Sequence, residues 1–130
     1  RPELMEETIP ALDHCLWNDV LQFVAVHPIK TRQALAQAGR IYHRSHYFVI
    51  DPTDLAKKDT TIYLASKGPK TPDKFLKFCP ESLERHTEIT EGTLQYYRQT
   101  PIRNPLVYAG FPHILYKGTI DVSNTPIITI

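Results

Sequence analysis

Residues 40–51 read RIYHRSHYFVID, a run dense in aromatic and β-branched side chains, and that composition predicts a strand. With a period of two, one face would carry Ile41, His43, Ser45, Tyr47 and Val49, and the other Tyr42, Arg44, His46, Phe48 and Ile50. The segment before it has helical character. Thr31 is placed to cap residues 32–38, which are rich in good helix formers, and Gly39 supplies a left-handed stop. A helix and a glycine turn also open a helix-turn-helix, but the strand-like alternation after Gly39 argues against a recognition helix there.

Working outward, residues 20–26 read as a mostly buried strand ended by His27-Pro28, and residues 60–66 as another closed by Lys67-Gly68-Pro69. Leu12, Cys15 and Leu16 at helical spacing predict a short helix over 10–18. Thr71, Pro72 and Asp73 form a good helix start, which would turn Phe75, Leu76 and Cys79 inward before Pro80. A further helical turn is expected over 81–86. From residue 87 the character becomes that of short strands, at 87–89, 93–99, 106–111, 114–120 and 127–130. The expectation is one α+β domain over 1–130, with a mixed or largely antiparallel sheet and a few short helices mainly in the first two-thirds. Leu16, Val20, Val24, Leu76 and Ile114 are the expected core.

Charge is spread unevenly. The formal total is +1, yet residues 1–29 balance to −4, residues 30–77 to +6 and residues 78–130 to −1. Such asymmetry points to an anionic partner, nucleic acid or a nucleotide among them. Arg40, Arg44, Lys57, Lys58, Lys67 and Lys70 are the candidate phosphate-binding residues, interleaved with Tyr42, Tyr47 and Phe48, which could stack unpaired bases. The alternative is a solvated face balanced by the acidic start of the chain, Glu3 to Thr8, folding against it.

His43, His46 and Asp51 are the candidate catalytic residues, because phosphoryl chemistry needs a base of near-neutral pKa and an orienting carboxylate. Residues three apart on a strand face opposite ways, so His43 and His46 do not converge there; Arg44 and His46 share a face and suit one phosphate better. His14, Cys15, Cys79 and His86 lack a familiar zinc spacing, and no metal site is assigned. The five glycines are isolated, which excludes a GxGxxG or GxxxxGK[ST] phosphate loop, and GxSxG is absent. No cofactor is assigned.

Two cysteines, Cys15 and Cys79, both in apolar surroundings, are expected as buried free thiols, and cytoplasmic residence follows from them. No run approaches the roughly 20 apolar residues of a membrane span, so no membrane partner is expected. The acidic start reads as no signal peptide, and the missing initiator methionine as a processed or excised chain. Tyr96, Tyr97, Tyr108, Phe111 and Tyr116 offer an alternative function: an aromatic C-terminal sheet face binding a protein partner, as in an inhibitor or regulatory factor.

Overall fold

The computed structural model describes residues 7–43, 46–65 and 69–130. Its centre is a four-stranded sheet built from β3 (Leu21–Phe23), β5 (Thr60–Tyr63), β6 (Phe75–Lys77) and β7 (His113–Tyr116), in the order β3-β7-β5-β6. Two small ribbons flank it, β1 (Thr8–Ile9) with β2 (Cys15–Leu16), and β4 (His46–Phe48) with β8 (Ile127–Thr129). Every pairing is antiparallel. With α1 (Pro28–Gln37) and α2 (Glu91–Gln99), the chain is an α+β domain.

Strand alternation sorts the core onto the two sides of the main sheet. On one side Tyr63 and Leu115 pack with Ile9 and Leu12, and Trp17, Val20 and Phe75 lean on them. On the other side Ile62 and Ile114, directly paired, pack with Leu55 and Phe78. A third cluster, Ala34, Leu35 and Tyr97, joins α1 to α2.

α1 begins earlier than its composition suggests. His27 is the cap, its Nδ1 accepting from the Ile29 amide at 3.1 Å, with Pro28 at the first helical position. Thr31 lies inside the helix and is buried. Gly39 does take the left-handed conformation, at φ +74°.

Three expectations need correction. Residues 93–99 form helix and not strand: Thr90 accepts from the Thr93 amide, and Glu91 and Arg98 suit the two ends of the helix dipole. The helix places Thr93 and Tyr97 one turn apart and buries both, and no strand forms over 106–111. Residues 72–74 are a single 3-10 turn, after which Phe75 and Leu76 pair with Tyr63 and Ile62 as β6. The gain from sheet pairing there outweighs a good helix start. The third correction concerns the core: Ile114 is buried, but Leu16 is 39% and Leu76 38% exposed, Leu16 because it faces outward with its partner Thr8, and Leu76 because it shares the face of Ile62 on the edge strand β6. Residues 10–18 likewise split into 3-10 turns around β2, whereas Pro80–His86 is helical as expected, in 3-10 form.

Candidate ligand-binding site

A cavity of about 860 Å³ opens between the main sheet and the β4–β8 ribbon. Phe23 and Ile114 line it from the sheet, and Tyr47, Ile50 and Ile128 from the ribbon and its continuation. Leu83, Glu84 and Thr87 close it from the 3-10 segment, while His27 and Thr31 enter from the start of α1. Tyr42 and Tyr108 complete an aromatic wall. Tyr42 and Tyr47 stack, with ring centroids 6.4 Å apart and planes 15° from parallel.

α2 sets this wall from behind. The Tyr97 hydroxyl donates to the Val107 carbonyl, Thr93 Oγ1 donates to the Ala109 carbonyl at 2.7 Å, and the Tyr96 hydroxyl accepts from the Leu106 amide at 2.9 Å. These bonds hold the turn that carries Tyr108, whose ring meets Phe111 edge-on at 5.5 Å. The Tyr42 and Tyr47 hydroxyl oxygens are both buried, and that of Tyr47 lies beside the Tyr108 hydroxyl. Burial first, then the adjacent Tyr108 hydroxyl, hold the Tyr47 phenol protonated well above its ordinary pKa.

His113 belongs to the cavity wall by its place on β7, but its ring lies edge-on to Tyr63, which packs on the opposite side of the sheet. Its Nδ1 donates to the Phe111 carbonyl at 2.6 Å. Burial pushes its pKa below the ordinary value, and that carbonyl opposes the shift.

The candidate catalytic residues have separate local roles. His43 and His46 are exposed, and His46 Nδ1 lies 3.1 Å from Thr129 Oγ1 across the ribbon. Asp51 caps a 3-10 turn, its carboxylate accepting from the Thr53 amide at 2.9 Å and the Thr53 hydroxyl at 2.7 Å. Those bonds, the hydroxyl first, hold the Asp51 carboxyl below its ordinary pKa.

The basic segment is partly spent on the fold itself. Arg40 donates to three backbone carbonyls, of Tyr97, Thr100 and Ile102. Lys70 pairs with Glu7 at 2.5 Å and lies over the Trp17 ring at 5.2 Å. At this point the acidic start of the chain does fold onto the basic middle. Lys30 pairs with Glu88 at 2.5 Å. Lys57 and Lys58 are exposed, and Arg44 and Lys67 lie outside the described residues.

The expected aromatic C-terminal sheet face is rearranged. Tyr96 and Tyr97 are helical, Tyr108 and Phe111 lie in turns, and Tyr97 and Phe111 are core. Exposed apolar groups sit instead along a smaller groove lined by Leu21, Phe48, Ile50 and Val122.

Both cysteines are free and half-buried, not fully buried, and burial raises the Cys15 pKa. Among the described residues no cluster of three metal-ligating side chains occurs, and no helix is long and apolar enough to cross a membrane. No protein-family model, curated protein or solved structure matches the chain.

The sequence reading missed the cavity because its walls come from five separate stretches. One signal was available: Tyr42 and Tyr47 are five residues apart in an aromatic run.

Proposed function

We propose that this protein binds a small, mostly apolar ligand in the cavity between the main sheet and the β4–β8 ribbon. The carrying observation is the cavity itself: its 860 Å³ lies within the roughly 300–1,000 Å³ of small-molecule sites. Its lining also has the usual character of such sites, mostly aliphatic and aromatic with a minority of polar groups. The test is titration with Prodan, a neutral naphthyl fluorophore whose emission moves to shorter wavelength in apolar surroundings. Binding gives a saturable blue shift that is lost in Ala25→Phe and Thr87→Phe, two enlargements at lining residues, one from the stretch after β3 and one from the end of the 3-10 segment. An unmoved emission spectrum rejects the reading.

A second reading rests on strand register. Lys77 lies opposite Thr61 at the start of β5, and the Lys117 amide donates to the Asp59 carbonyl at 2.8 Å. Lys57, Lys58, Lys77 and Lys117, all exposed, therefore gather at one end of the main sheet. We propose this end as the contact for nucleic acid or another phosphate-rich ligand. Each phosphate neutralised contributes about −0.9 to the slope of log K against log salt on duplex DNA. Replacing the four lysines by alanine flattens that slope, and an unchanged slope or no binding at low salt rejects this reading. Any hydrolytic step would fall to His43, His46 and Asp51, and His46→Ala then lowers the rate by about 10²–10⁴-fold.

A further inference from the structure

β3 is one edge of the main sheet, and its outer side is open. The Lys117 amide donates to the Asp59 carbonyl, so by alternation His113 and Leu115 turn their backbone groups toward β5, and Ile114 and Tyr116 turn theirs toward β3. Those two stand opposite Phe23 and Leu21. Leu21 and Phe23 therefore complete the ladder, while the N–H and C=O of Gln22 point away from the sheet. No described residue bonds to them there. A groove of about 360 Å³ runs along this edge. It touches Leu21, Gln22 and Phe23 alike, although successive strand residues face opposite sides, which places it beside the strand and not on one face. Phe48, Ile50, Ile120 and Val122 form the far wall, with Phe48 53% exposed.

An open backbone edge bordered by apolar walls fits an extended main chain whose alternate side chains are apolar. Charge narrows the choice. Asp19 lies just before the edge, Asp51 follows Ile50, and Asp121 lies between Ile120 and Val122; all three are exposed, against Lys117 next to the partner of Leu21. Bonds from the Thr53 and Ser123 hydroxyls hold the Asp51 and Asp121 carboxyls below their ordinary pKa, and so ionised. The far wall tells against a second copy, because a second β3 would bring its own β7 against Phe48 and Ile50. We infer that this groove docks a single extended segment of a partner protein, with alternating apolar side chains and basic flanks, which joins the main sheet beside β3. Main-chain hydrogen bonds to Gln22 set its register, and the apolar walls select its side chains. The inference goes beyond both functional readings above and rests on neither.

The test uses labelled peptides KXTXTXK, with X valine, isoleucine, leucine or phenylalanine, followed by fluorescence anisotropy at low salt. At least one should give a saturable rise. N-methylation of the X amides or of the T amides, whichever set faces β3, should weaken it about tenfold through the loss of one or two main-chain hydrogen bonds. Glutamate in place of the terminal lysines should weaken it about threefold. Gln22→Pro deletes the outward amide without touching the ladder to β7, and should weaken binding about as much as N-methylation. Phe48→Lys, at an exposed position, puts a charge in the far wall and should abolish binding. Circular dichroism checks that both variants are folded, and if Gln22→Pro is not, Phe48→Lys decides alone. Binding of none of the four peptides overturns the inference, as does binding that survives Phe48→Lys. Indifference to N-methylation of either set, or tighter binding of the glutamate form, also overturns it. A dimer in sedimentation that Phe48→Lys dissociates gives the groove to a second copy and overturns it too.

Discussion

The Arg40 guanidinium closes the end of α2, its Nε donating to the Tyr97 carbonyl at 3.1 Å while its two terminal nitrogens reach the Thr100 and Ile102 carbonyls at 2.5 and 2.8 Å. A helix leaves its last carbonyls without amide partners, and a cation there also meets the negative end of the dipole. One side chain thus ties the turn after α1 to the end of α2, behind the wall that holds Tyr108.

Arg40→Ala should therefore lower stability by about 2–3 kcal/mol, since hydrogen bonds to charged groups are worth about 1.5–3 kcal/mol each and solvent partly replaces them. Arg40→Lys should recover little, because a point charge on a flexible stem does not reproduce the planar fork. Urea unfolding of the three proteins gives the comparison. A neutral Arg40→Ala would mean that the carbonyls are equally well served by water.

Two glycines separate backbone strain from steric conflict. Gly39 and Gly110 both have positive φ, +74° and +77°. A Cβ at Gly39 meets nothing within 4 Å, whereas one at Gly110 would lie 2.7 Å from Thr93 Oγ1, the hydroxyl that donates to the Ala109 carbonyl. Gly39→Ala should cost only the left-handed penalty of about 1–2 kcal/mol. Gly110→Ala should cost about 1–2 kcal/mol more, as that hydrogen bond is strained or broken. Thermal melts of both variants decide it, and equal losses would show that Thr93 moves aside freely.

Leu115 is fully buried beside Ile9 and Leu12, so Leu115→Ala should cost about 2–5 kcal/mol. Leu16→Ala and Leu76→Ala, at exposed strand positions, should each cost less than about 1 kcal/mol. Denaturant midpoints at constant m-value test the ranking. A Leu76→Ala loss as large as that of Leu115→Ala would place a covering segment over β6.

His113 gives the fold a pH dependence of known sign. Burial lowers its pKa from the ordinary 6.5, so the unfolded chain takes up its proton first as the pH falls. The contribution is complete above that ordinary value and is lost progressively below it, until the pH passes the folded-state pKa. His113→Gln should therefore lose less stability than the parent between about pH 7 and about pH 5. Identical slopes in urea titrations would show that the folded ring protonates as readily as the unfolded one.

The sequence was most legible where punctuation and pattern agreed. Gly39 stops α1, and residues 60–63 and 127–129 are strands as their β-branched composition implies. It misled where local and tertiary preferences conflicted. Tyr96 and Tyr97 carry strand propensity, yet the cap at Thr90 and the burial of Thr93 with Tyr97 favour helix. Thr71-Pro72-Asp73 starts a helix that the pairing of Leu76 with Ile62 stops after one turn. Charge was legible only as a total. Arg40 and Lys70 carry charges that point to phosphate contact, and each also has a partner within the fold, the Tyr97 carbonyl and Glu7, more than fifty residues away along the chain. Ion pairing at that separation depends on the fold and leaves no local pattern. The alternation over 40–51 was real for His46 to Phe48, although Tyr42 and Tyr47, assigned to opposite faces, stack on each other.

The β4–β8 ribbon joins segments 83 residues apart at its His46–Thr129 contact, and it shares no strand with the main sheet. Closing so long a loop is entropically costly, and two short strands alone return little. The main sheet needs neither strand of the ribbon to complete its own ladder, so the order of assembly should run from sheet to ribbon. A nascent or refolding molecule then passes through a stage with a finished sheet and an open trough where the cavity will be. A compound that fits the cavity would act at that stage as a folding template, speeding the last step as well as stabilising its product.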